Sequence, residues 1–173
     1  MIEIDLDAVA EHARDLIWDQ LREELELVTC QQGCPEQVRS PQDLADAVPA
    51  VLIDPPKWSG GRPEAEGLPA LEGTVTIGIT FIRPIAPPPE SEDDPVEEHP
   101  RELVKQLQKI AALFSRPDFK LEGWDDGAGL DIQEIYPADL GHDHDLTYED
   151  STVRLALGSI TLQARAIVYD PAG

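Results

Sequence analysis

Between Leu6 and Val28 nine apolar residues, Leu6, Val9, Ala10, Ala13, Leu16, Ile17, Leu21, Leu25 and Val28, recur at threes and fours. Only an α-helix brings that spacing onto one face, because 3.6 residues complete a turn. A helix over residues 5–28 is therefore expected. Asp5 would cap it, Asp7 would place negative charge in its first turn, and Gly33-Cys34-Pro35 would end any continuation. Its polar face is mostly carboxylate, with Glu11, Asp15, Asp19, Glu23 and Glu26 relieved by Arg14 and Arg22.

Further along, the period falls to two. Thr74–Ile82 places Val75, Ile77, Ile79 and Phe81 on one side and Thr74, Thr76, Gly78 and Thr80 on the other, the pattern of a half-buried strand. Ala50–Ile53, bounded by prolines, reads as a short strand able to pair with it. The 55–73 arm between them holds Pro55, Pro56, Gly60, Gly61, Pro63, Gly67 and Pro69, too many breakers for a regular element. Residues 36–49 read as a connection with one helical turn near Asp43–Ala47.

A second amphipathic helix is expected over 101–115, with Pro100 in its first turn and Leu103, Val104, Leu107, Ile110, Ala111, Leu113 and Phe114 as its apolar stripe. Residues 85–100 before it carry Pro87-Pro88-Pro89 and six acids without a Lys or Arg, the composition of an exposed linker. Residues 131–136 read as a short strand and Pro137–Asp150 as an acidic loop. Over 152–169 two alternating runs, Val153/Leu155/Leu157 and Ile160/Leu162/Ala164/Ala166/Val168, are out of phase. A bulge at Gly158-Ser159 in one long strand would reconcile them. The expected class is α+β: one domain over 1–173, with a small, mostly antiparallel sheet packed against two amphipathic helices and long proline-rich loops.

Thirteen Lys and Arg against thirty-five Asp and Glu give a net charge of -22. Such a chain repels phosphate backbones and anionic membrane surfaces, and no apolar run approaches the ~20 residues that span a bilayer. The expectation is a soluble protein without tight nucleic-acid or membrane binding. The acidic start Met-Ile-Glu-Ile-Asp-Leu-Asp is unlike a secretory leader, and the cysteine pair Cys30 and Cys34 is too small for a disulfide framework, so synthesis in the cytoplasm is expected.

Each candidate for chemistry lacks a component. His142-Asp143-His144-Asp145 offers metal-ligand types, but no second ligand pair stands out and a solvated loop explains it. Cys30 and Cys34 enclose three residues where thioredoxin-type redox chemistry uses two. Gly123-Trp124-Asp125-Asp126-Gly127-Ala128-Gly129 puts two aspartates where a phosphate cradle needs a cation. No serine lies in a Gly-x-Ser-x-Gly elbow. Catalytic, cofactor and metal residues are therefore not expected. Trp58 and Trp124 sit in glycine-rich stretches, where a tryptophan either anchors a partner or folds back over a small core.

Arg101, Lys105, Lys109, Arg116 and Lys120 gather five of the thirteen basic residues within twenty positions, so an acidic first helix opposes a basic second one. The succession runs from the acidic helix through the strand Pro49-Ala50-Val51-Leu52-Ile53-Asp54, the arm, Thr74–Ile82 and the second helix to Leu121-Glu122-Gly123-Trp124 and the closing strand Ile160–Tyr169. It resembles the tail-terminator and related neck (head–tail joining) proteins of tailed bacteriophages. That resemblance implies a non-enzymatic virion protein forming a ring, commonly a homohexamer. Such a ring ends the tail tube and joins it to the connector or stopper proteins, with DNA passing through an acidic lumen. Interface candidates are then Trp58 and its arm, Trp124, the basic Arg101, Lys105 and Lys109, and the acidic Asp15, Asp19 and Glu23. The alternatives are a small metal-dependent hydrolase or metal-binding domain using His142 and His144, and an acidic adaptor or nucleic-acid mimic.

Overall fold

In the computed structural model, residues 5–33, 40–61, 70–85, 98–114, 130–147 and 154–169 are described. The first helix, α1, runs Leu6–Leu21, with the Asp5 carboxylate accepting a hydrogen bond from the Ala8 N–H at 3.2 Å. It ends sooner than the apolar spacing predicts. Past it, the Leu27 N–H donates to the Arg22 carbonyl at 2.9 Å and the Glu26 N–H to that of Glu23 at 3.4 Å, with Glu26 at φ 52. This is a Schellman closure with a glutamate in the left-handed position that glycine usually takes. Leu25 remains buried although the helix has stopped, so helical spacing found a core residue that a turn positions.

The chain then forms a strand that alternation does not announce, β1 (Thr29–Gln32). Next come a short helix α2 (Pro41–Ala47), capped by the Ser40 hydroxyl, and strands β2 (Ala50–Ile53), β3 (Lys57–Gly60) and β4 (Ala70–Pro84). Thus the arm is not irregular throughout: four residues after Pro56 pair with β4, and β4 begins at Ala70. The helix α3 (Glu98–Phe114) starts before Pro100, which its first turn tolerates because the N–H groups there have no intrahelical acceptor. Ile85 is tied by its N–H to the Arg154 carbonyl at 2.9 Å, and the remainder of the expected linker, 86–97, lies outside the described residues.

Two long strands, β5 (Leu130–Thr147) and β6 (Arg154–Tyr169), complete the sheet. The order is β1-β2-β4-β6-β5, with β3 also on β4, and only β1 and β2 run parallel. The class is α+β with a mixed, open sheet. Residues 137–147, expected as loop, are strand. The β5 register slips between Ile132 and Glu134, Pro137 and Asp139, and Asp143 and Leu146. Each slip inserts an unpaired residue and turns the side-chain pattern over, which erases the alternation by which a strand is read. Pro137 is admitted because β5 is an edge strand.

The β6 bulge expected at Gly158-Ser159 is not present, since β6 pairs with β4 without a break from Leu155 to Tyr169. The phase change has another cause: both faces of the sheet are covered. Ile160, Leu162, Ala164, Ala166 and Val168 join the main core under α1 and α3 with Val51, Ile53, Val75, Ile77, Ile79 and Phe81. Leu155 points the other way, into a second cluster with Val48, Ala50 and Ile82, against which Leu44 of α2, Leu52 and Leu157 pack. Close approach of α3 to β6 is made possible by Gly158, where an added Cβ would collide with the Leu107 side chain.

Candidate interaction surfaces

Asp15, Asp19 and Glu23 follow one another at intervals of four and are exposed, as are Arg101, Lys105 and Lys109 along α3. The two stripes belong to neighbours within one chain. α1 and α3 lie on the same face of the sheet, and the Lys109 ammonium sits 2.6 Å from the Glu24 carboxylate just past α1. One of the three cations expected to face an adjoining subunit is therefore engaged at home. Both groups are about half exposed, so this pair contributes at most about 1 kcal/mol.

Trp58 is in β3 rather than a loop, and it is held by its own chain. Its indole N–H donates to the Gly61 carbonyl at 2.8 Å, and its ring occupies the space that a side chain at Gly73 would need. Half-buried against the main core, it closes that end of the sheet. Trp124 and Cys34 lie outside the described residues. His142 pairs through its backbone with Gly158 and His144 falls within the last register slip of β5, while their side chains lie outside the description. Among the described residues, no group of three or more His, Cys, Asp and Glu is placed to hold a metal, and no helix is long and apolar enough to cross a membrane.

One feature that the sequence did not reveal is a groove of about 380 Å³ between α1 and β1, lined by Arg14, Trp18, Val28, Thr29, Cys30 and Gln31. Arg14 and Trp18 are one helical turn apart, which puts both on the flank of α1 that overlooks β1. Arg22 lies 4.5 Å above the Trp18 ring, a cation–π contact, and Arg14 bonds the adjacent Asp15 carboxylate. Asp7 accepts from the Gln32 side-chain amide at 3.0 Å, fixing the start of α1 beside the end of β1. The apolar content of the groove is Trp18 with Val28, a large hydrophobic residue left 55% exposed.

Cys30 sits in this groove with its thiol directed at the Arg14 carbonyl, 3.6 Å away. Burial pushes the thiol up to about 11, the nearby Arg14 charge opposing and Asp15 adding to the shift. A thiol so protonated at neutral pH is a poor nucleophile and a poor metal ligand. His12, on the same helix, is shifted below its ordinary value by desolvation, with Asp15 acting against that.

No protein-family model matches the chain, and no curated protein matches it. What defines its class is the fold: an α+β unit whose open sheet, among the described residues, ends on β1 and β3 at one side and on β5 at the other.

Proposed function

We propose that this chain is a structural subunit that acts by self-association, without catalysis. The assembly is a ring of the tail-terminator or neck type, most simply a homohexamer, ending a phage tail tube and joining it to the connector. The observation that carries this reading is the unlikeness of the two sides of the open sheet among the described residues, the four-residue strands β1 and β3 on one and the eighteen residues of β5 on the other. A two-fold pair would use one kind of edge and leave the other bare, whereas a head-to-tail joint between unlike edges uses both and gives a ring where the rotation per copy closes. The charge of -22 suits a conduit, because DNA passing such a ring is repelled rather than held.

Electron microscopy of the purified protein, with light scattering after size exclusion, tests this. Six copies of a 19.0 kDa chain would give particles of about 114 kDa with a central opening. A protein that stays monomeric at every concentration and also fails to bind isolated tail tubes would overturn it.

A further inference from the structure

We infer that the subunit joint is a β-sheet joint: the free edge of β1 in one copy takes β5 of the next copy as its neighbour, so that the sheets run on from subunit to subunit. This rests on the ring reading above and names the surfaces that would build it.

Backbone polarity supplies the first argument. The Thr29 N–H donates to the Pro49 carbonyl at 3.3 Å and the Gly33 N–H to that of Ile53 at 2.8 Å. Odd-numbered residues of β1 thus spend their backbone groups on β2. Alternation turns the N–H and C=O of Cys30 and Gln32 outward, where among the described residues no strand meets them. An edge with its donors and acceptors set at strand spacing selects an extended backbone as occupant.

Strand direction supplies the second. β1 and β2 run one way, β4 the other, β6 with β2, and β5 with β4. A second copy placed head-to-tail, with its helices on the same face, therefore lays β5 antiparallel to β1. No flip of the subunit is required, and every copy repeats the same joint, as a closed ring demands.

Length narrows the contact on β5. Its three slips and Pro137 divide it into short regular runs, and the longest uninterrupted one, Asp139–Asp143, is long enough to match the four residues of β1. The slipped parts are poor templates, which pins the register. Beside β1 the groove leaves Val28 55% exposed. A strand entering there covers Val28.

Disulfide trapping decides the matter. With Cys30→Ser and Cys34→Ser removing the native thiols, Gln31→Cys is combined with Asp139→Cys or Gly141→Cys. All three positions lie on the sheet face away from α1 and α3. Within one chain β1 and β5 are four strand spacings apart, about 19 Å at ~4.8 Å each, far beyond the ~7 Å reach of a disulfide, so a cross-link can form only between copies. The expected result is a ladder of covalent multimers with at least one of the two pairs. Independently, Gln32→Pro deletes an outward N–H without touching the β2 ladder and should shift the particle mass toward monomer, while Gln32→Ala, which loses the same Asp7 bond but keeps the N–H, should leave the mass unchanged. Rings that show neither cross-link would overturn the β1–β5 joint and leave the ring reading standing. An absence of oligomers at any concentration would sink both.

Discussion

Glu26 shows how much a single backbone angle can be worth. Its φ of 52 is the left-handed conformation, which costs an L-residue with a Cβ about 1–2 kcal/mol and costs glycine little. Replacing it by glycine relieves the native state but also loosens the unfolded chain by about 0.4–1 kcal/mol. Glu26→Gly should therefore stabilise by up to about 1 kcal/mol, seen as a higher urea midpoint at unchanged slope, with Glu26→Ala giving no such gain. Cys30 offers a second residue-scale test. Its folded value of about 11 stands above the ordinary 9.0, so the folded state holds the proton more tightly. Below pH 9 the thiol is neutral in both states and costs nothing. As pH rises from 9 to 11 only the unfolded chain ionises, so stability falls across that window and then levels. In a Cys34→Ser background, Cys30→Ser should flatten this alkaline loss, and at pH 8 the Cys30 thiol should react with a disulfide reagent about tenfold more slowly than in the denatured chain.

At the scale of elements, what was legible depended on whether one face alone carried the pattern. α1 and β4 each bury one side against the main core, so threes and fours announced the helix, though over 5–28 where it runs Leu6–Leu21, and alternation gave the centre of Ala70–Pro84. β6 is covered on both faces by different clusters, and its change of phase read as a bulge when it marks where Leu155 and Leu157 turn to α2. β1 has no apolar alternation in Thr-Cys-Gln-Gln and is a strand only because β2 is there to pair with it. The charged stripes Asp15/Asp19/Glu23 and Arg101/Lys105/Lys109 were visible as composition, but that Lys109 meets Glu24 of the same chain depends on how the helices pack. The groove was invisible for the same reason, since Trp18 and Val28 meet only across tertiary structure. The α3–β6 contact gives this scale its prediction. Gly158→Ala drives a methyl into Leu107 and should cost about 1–3 kcal/mol, the usual penalty of overpacking. Leu107→Ala alone should cost about 2–5 kcal/mol by leaving a cavity. Together they should cost less than the sum, because the new methyl enters the space Leu107 vacates. A double-mutant cycle in urea measures that coupling, and strict additivity would deny the contact.

For the whole molecule the governing quantity is the charge of -22 carried by 173 residues. The ion pairs among the described residues, Arg14 with Asp15, Lys109 with Glu24 and Arg165 with Glu72, are about half exposed and contribute little, so against a charge of -22 the balance of electrostatics is self-repulsion rather than attraction. Screening length falls from about 30 Å at 0.01 M salt to about 8 Å at 0.15 M, the range over which charges on opposite sides of one domain cease to feel each other. Added salt should therefore raise the melting temperature over that interval, the reverse of what a fold held by surface salt bridges would do. Sodium and choline chloride should act alike, because the effect needs only ionic strength. The same screening acts between copies, each bringing -22 to a joint, so any oligomer should grow more stable over the same salt range by light scattering. A melting temperature that is flat or falls with salt would mean that the acidic surface is locally compensated and that repulsion does not limit this fold.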